Sequence, residues 1–410
     1  MTRNSDISRR HLMVSGLTVA AVVGGSSCTT NSPPPPTVQD YFQCDPPRDY
    51  PTIDYAVVTD AAFDGGADPS GRRDCSNAVR AAVATGKPVY IPPGSYTYHG
   101  PGIDHPAPFI VGAGQGRTTV TLGPETTFID SDQVWLSLTL RGIRFNGGVG
   151  HVKNRFHGIN VTDFHTVSDC AFINYSGASI STNSVDHPYW KIEGNIFRGS
   201  NYLTSMGIAL SGLTDGTTIA NNAFLANRVH IKVGRGGNNT YIHNCDFLRF
   251  GGQQGVPRID VWFTLSVDEI NCGAGMVITR CKFGNEFLDE RDLRIVYADE
   301  TDGRMNDERW PLLDKPSTNW IGGHTVTAVF ANGIGDRAPI PLVRSTTSNV
   351  VGSTYGPVTM AGNSGAPILS TIMPLRNGGH SNYVGPLLRA TGYTGPLPRL
   401  LVSDHPPAGR

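Results

Sequence analysis

Three short segments carry side chains that could do chemistry together. "NRVHIKV", residues 227–233, sets Arg228, His230 and Lys232 at every second position. "RIDVWF", residues 258–263, does the same with Arg258, Asp260 and Trp262, and "DLRIVY", residues 292–297, with Asp292, Arg294 and Val296. Strict alternation is the period of a half-buried strand, so each trio is expected on one face, opposite the apolar residues between its members. An imidazole or amine whose pKa is lowered by neighbouring cations is a general base, and guanidinium groups hold a carboxylate. Asp260 and Asp292 are two carboxyl groups that could share general acid and base work. His230, Lys232, Asp260 and Asp292 are therefore candidate catalytic residues. Arg228, Arg258, Trp262 and Arg294 are candidate substrate-binding residues. The competing reading is a solvated strand face whose opposite charges stabilise the stack modestly.

These segments can cooperate only if the chain brings them side by side, and its periodicity does so. From residue 138 onward one pattern recurs: an aliphatic residue, two variable residues, a fourth residue usually Asn or Cys, one variable residue, then Phe. It appears as "LRGIRF", "VSDCAF", "IEGNIF", "IANNAF", "IHNCDF" and "ITRCKF", ending at Phe145, Phe172, Phe197, Phe224, Phe247 and Phe283. Successive intervals of 27, 25, 27, 23 and 36 residues mark a solenoid in which each unit is one coil. Parallel strands about 4.8 Å apart would stack the Phe rings inside, beside a ladder of Asn195, Asn222 and the cysteines. His230 and Asp260 would then be neighbours on the outside, ringed by Lys232, Arg258 and Arg294. Coils at Ser179–Ser181 and Gly207–Ser211 offer only small neutral residues there, so function concentrates after Phe224.

Composition agrees with an all-β chain and excludes some partners. Forty-nine glycines and 29 prolines fit many short strands punctuated by turns. With 33 Lys+Arg against 34 Asp+Glu there is no global field to draw nucleic acid or an anionic membrane. Cys170, Cys245 and Cys281 read as packed thiols of the ladder. An oxidising compartment would also allow pairs such as Cys44 with Cys75 or Cys272 with Cys281, and Cys245 with Cys281 in adjacent coils at some strain. The cysteines lack the close paired spacing of a zinc site.

Residues 1–27 read as an export signal, with Arg9 and Arg10 as a twin-arginine pair before the apolar stretch "HLMVSGLTVAAVVGG". "GGSSC" ending at Cys28 is the place for lipidation, and residues 28–50, with four consecutive prolines, make a tether. The expected location is exported: periplasmic, extracellular, or held at the cell surface by a lipid on Cys28. Residues 51–300 hold the cap and coils, and residues 301–410 irregular terminal coils with a Pro/Gly-rich tail. The mature chain opens with "FDGGADPSGRRDCSNAVRAAVATGKPVYIPPGSYTYHG", residues 63–100, a loop, a helix and a strand. Asp74 or Ser76 can cap that helix, Ala78, Val79, Ala82 and Val83 form its apolar stripe, and Gly86 suits its C-terminal turn.

That opening, with its Gly/Asp-rich loop, capping helix and "VYIPPGSY", resembles the start of the pectate lyase superfamily in its rhamnogalacturonase-like and epimerase-like branch. The coil pattern extends the likeness to about residue 300. The resemblance implies a right-handed single-stranded parallel β-helix with an N-terminal capping helix. Its members include polysaccharide lyases, glycoside hydrolases, epimerases and phage receptor-binding spikes, so the fold does not choose among them. The paired-Asp and Gly-His-Gly motifs of the polygalacturonase hydrolases are missing. A cationic floor suits an acidic polysaccharide or oligosaccharide, with Lys232 or His230 as base for β-elimination at a uronate and Arg258 and Arg294 on its carboxylate. A hydrolase using Asp260 and Asp292 ranks second, and a non-catalytic carbohydrate-binding or adhesion solenoid is the third reading. Calcium is common in the family's lyases, and Asp260 could help bind it, but the carboxylates here are few and scattered. Tyr189 and Trp190, in the loop "NSVDHPYW" with Asp186 and His187, could stack a sugar ring, and Asp268 and Glu269 could reach the site from a longer loop.

Overall fold

The computed structural model describes residues 54–133, 137–155, 164–186, 189–200, 203–213, 216–234, 239–249, 258–265, 276–285 and 293–299. Past residue 316 it describes short strands between 317 and 402. Residues 1–53, which include Arg9, Arg10, Cys28 and Cys44, lie outside the described residues, as do Asp268, Glu269, Cys272 and Asp292.

Three long parallel sheets build the described part of the chain, with two further two-stranded sheets in its C-terminal part. We call the long ones sheet A (12 strands), sheet B (11 strands) and sheet C (8 strands), and the chain visits A, B and C in turn. This is a right-handed parallel β-solenoid. The sheets do not stop at residue 300: Thr325–Thr327 and Thr354–Tyr355 continue sheet A, and Val329–Asn332 and Val358–Ala361 continue sheet B. A single short helix, Ser76–Ala84, lies near the start of the described chain and buries Ala78, Val79, Ala82 and Val83. The N-cap residue is Cys75, without a side-chain cap bond, and Asp74 one residue earlier accepts a hydrogen bond from the Ser76 backbone N–H at 3.0 Å; Gly86 adopts φ +69° just past the helix end, as its sequence leads one to expect.

The repeating Phe forms the core. Phe145, Phe172, Phe197, Phe224, Phe247 and Phe283 are register partners in sheet B. Their ring centroids lie 4.9–5.6 Å apart in stacked orientation. Beside them runs the polar ladder. The Asn222 side-chain oxygen accepts from the backbone N–H of Asn195 at 2.9 Å and from its Nδ2 at 3.1 Å, while the Asn195 oxygen accepts from the Cys170 backbone N–H at 2.9 Å. Buried donors and acceptors thus find partners one coil away.

Cys75, Cys170, Cys245 and Cys281 are buried and form no disulfide, which corrects the pairings of Cys75, Cys245 and Cys281 considered from sequence. The Cys245 and Cys281 thiols each point back to the carbonyl two residues earlier, at 3.4 Å. Burial pushes the Cys75 thiol up to about 12.

The corner between sheets A and B explains the third residue of the motif. Gly142, Asp169, Gly194, Asn221, Asn244 and Arg280 fill that place, and all have positive φ, between +51° and +69°. Gly and Asn tolerate this left-handed conformation best.

Candidate functional site

Sheet C holds the residues with chemical potential, and its register is fixed. Asp130, Lys153, Ser181, Ala209, Lys232, Trp262 and Val296 form one file across it. The next position along each strand is Val233, Phe263 or Tyr297, which belong to the interior. Met206, Ala209, Val229, Ile259, Trp262, Leu293 and Val296 pack as a separate apolar cluster, outside the main core. The Lys232 file therefore lies on the outer face.

His230 does not share that face. Alternation would put Arg228, His230 and Lys232 together, but the strand bends. In every adjacent pair the position holding Ser179, Gly207, His230, Asp260 or Arg294 is missing from the ladder, between partners such as Val229↔Ile259 and Ile231↔Val261. At that bend two consecutive residues face inward. The His230 ring lies 5.8 Å from the Phe224 ring and 5.9 Å from that of Phe247, against the core stack, and Ile231 belongs to the core as well. A side-chain amide nitrogen only donates, so Asn227 Nδ2, 3.2 Å from His230 Nδ1, leaves the proton of a neutral ring on Nε2. That nitrogen faces Asp260 Oδ1 at 3.6 Å, with both side chains almost wholly buried (1% and 0% exposed). Asn227 in turn accepts from the Tyr175 hydroxyl at 2.6 Å.

His230 and Asp260 are neighbours, as adjacent coils require, but they sit inside the spiral where no polymer reaches. The same interior position holds His151 and Ser179 in earlier coils, His151 Nδ1 lying 3.0 Å from Ser179 Oγ. Burial pushes the His151 imidazole down to about 3. Arg294 occupies that position in the coil after Asp260 and is 1% exposed.

The other expected site residues separate in the same way. Lys232 Nζ stands 5.0 Å from the centre of the Trp262 ring, a cation–π distance, and Trp262 is covered completely. Arg228 and Arg258 share one register position just before their strands, both buried. Trp190 is buried against the His165 ring, centroids 4.7 Å apart, so it is not available to stack a ligand. Tyr189 is exposed, on sheet A and not beside Lys232. Asp186 ends the strand Ala178–Asp186.

Sequence reasoning passed over Lys153. It lies exposed in the outer file three strands from Lys232, with half-buried Ser181 and small Ala209 between them. Next to it Asp130 accepts a 2.6 Å hydrogen bond from Arg155. The signal was in "GHVKN", residues 150–154, the coil that follows Phe145. Among the described residues there is no group of three or more His, Cys, Asp or Glu able to hold a metal ion.

No protein-family model matches the chain, and no curated protein does. Solved structures do match. A mutant tailspike protein of E. coli bacteriophage HK620, in complex with a pentasaccharide, is 13% identical with a TM-score of 0.50, covering 81% of this chain and 67% of its own. The A-module of the Azotobacter vinelandii mannuronan C-5 epimerase AlgE4 is 14% identical with a TM-score of 0.49, covering 85% and 100%. An alginate lyase from Paenibacillus sp. str. FPU-7 is 12% identical with a TM-score of 0.48, covering 76% and 97%. At such identities the likeness speaks for the fold alone. With three parallel sheets, an internal Phe stack and an Asn/Cys ladder, the chain has the right-handed parallel β-helix fold of the pectate lyase type.

Proposed function

We propose that this is a carbohydrate-active β-helix protein that takes an acidic polysaccharide on the outer face of sheet C. The observation that carries the reading is the file Lys153, Ser181, Ala209, Lys232, in which two small residues separate two cations. At about 4.8 Å per strand the lysines stand roughly 14 Å apart across a shallow floor. Carboxylates of a uronate chain would find a cation at either end, and the sugar rings room between. The sugar-linked neighbours support the same class of ligand, being described as an alginate lyase, a mannuronan epimerase and a tailspike with a pentasaccharide.

Of the reactions open to such a face, β-elimination fits best. A cation neutralises the uronate carboxylate, the proton beside it becomes removable, and the leaving oxygen departs as the double bond forms. On this reading Lys232 takes that proton in its neutral, deprotonated form, while Lys153 stays the cation of the floor, because His230 is interior. Hydrolysis is disfavoured, since Asp260 is interior too. A binding-only role is the second reading, favoured because the exposed cation of the file is Lys153, whereas Lys232 is nearly covered.

The test is incubation of the purified protein with polyuronates, following binding by affinity electrophoresis and unsaturated product by ultraviolet absorbance. Binding weakened severalfold by Lys153→Ala and by added salt, with product lost in Lys232→Ala, supports a lyase. Binding without product supports the second reading. Failure to retard any polyuronate sinks the proposal.

A further inference from the structure

Most of the exposed large apolar side chains among the described residues share one face. Phe109, Phe164, Tyr189 and Tyr241, with 38–60% exposure, belong to the outer side of sheet A, and Leu203 stands apart from them. This sheet lies away from the Lys232 file, and a solenoid gains nothing in its core from aromatic rings outside it.

Three of these rings frame a slot. Phe164 and Tyr189 occupy the same position in consecutive coils and stack at 5.0 Å with 12° between planes. Tyr189 is seated over Gly216, where an added Cβ would come within 2.9 Å of its ring. On its other side Phe164 has Ser137 as register partner, exposed and too small to cover a ring. Thr139 stands two residues along from Ser137 and pairs in turn with Phe109 of the preceding coil. The coil of Ser137 and Thr139 thus forms a hydroxyl-bearing floor between Phe109 and the Phe164–Tyr189 pair. These walls are two strand spacings, about 10 Å, apart along the solenoid axis.

We infer that this slot binds a neutral sugar unit, separate from the sheet C face. A pyranose has an apolar C–H face for the open side of Phe164 and hydroxyl edges for Ser137 and Thr139. Charge selects the same class. Among the described residues nearby, Lys191 pairs with Glu193 at 2.8 Å and Arg141 with Asp169 at 2.9 Å, so these charges offset one another. The inference takes only its ligand class from the proposed function and uses none of its residues.

The experiment is titration calorimetry of the full chain with cellohexaose, xylohexaose and maltohexaose, beside a polyuronate oligomer. At least one neutral oligosaccharide is expected to bind. Phe164→Ala and the slot-filling Ser137→Tyr should weaken it roughly tenfold or more, while Lys153→Ala leaves it unchanged. The circular dichroism of both exposed-site variants should match that of the parent. Absence of neutral-sugar binding, binding indifferent to both variants, or a dimer that Phe164→Ala dissolves in analytical ultracentrifugation would each overturn the inference. Loss of polyuronate binding alone would strike only the sheet C reading.

Discussion

At the scale of single residues, the interior polar file decides what His230 and Asp260 do. A histidine and a carboxylate held 3.6 Å apart inside a hydrophobic core bind the coils to one another and do not meet substrate. Removing one partner takes a buried electrostatic contact from the other. Asp260→Ala is therefore expected to cost about 3 kcal/mol or more, read as a shift of the urea midpoint. Unchanged stability with lost sugar binding would place the pair outside after all. His151, deeper in the same file, makes a pH prediction. Its imidazole titrates near 3 in the folded protein and near 6.5 when unfolded, so between those values the unfolded chain binds the extra proton. Stability must then fall as pH drops from about 6.5 towards 3, by on the order of a few kcal/mol at the acid end. The variant His151→Phe, measured by thermal melts across that range, should show a shallower slope.

At the scale of elements, the sheet A to sheet B corner and its ladder make one coil fit the next. Asn222 supplies an acceptor to two donors of Asn195 and donates to the Ile192 carbonyl at 2.8 Å. Asn222→Ala strands several buried groups at once and is expected to cost about 2–4 kcal/mol. Asn222→Cys should recover part of that loss, because cysteine holds the same place at Cys170, Cys245 and Cys281 and its thiol reaches a backbone carbonyl. Denaturant melts of the two variants check the ranking. The corner was half legible. The Asn/Cys position stood out, whereas the residue before it, cycling through Gly, Asp, Asn and Arg, passed as variable until its shared positive φ gave it a reason.

At the scale of the whole molecule, the solenoid presents two outer faces with different chemistry, a cationic one on sheet C and an aromatic, hydroxyl-lined one on sheet A. We propose that the N-terminal segment exports the protein. Arg9→Lys with Arg10→Lys is expected to keep the chain in the cytoplasm, and Cys28→Ser to free it from membranes, both read by cell fractionation. Membrane release of the parent protein by washing alone would argue against the lipid.

The sequence by itself determined the spiral. One Phe per coil, one Asn or Cys two residues earlier, and intervals near 25 residues admit few other ways to bury so many rings and amides together. It also brought His230 within reach of Asp260, with Lys232 and Arg258 around them, because coils stack in sequence order, while the 36-residue interval after Phe247 left the register there open. Which way each side chain points was decided only by the tertiary structure. Perfect alternation assumes a straight strand, and the chain turns a corner at His230, so two successive residues face the core and the expected trio divides. Exposure belonged to the third dimension as well. Tyr189 and Trp190 are adjacent and alike in sequence, yet one lies open over a glycine and the other is sealed against His165, since what covers a residue comes from coils 25 residues or more away.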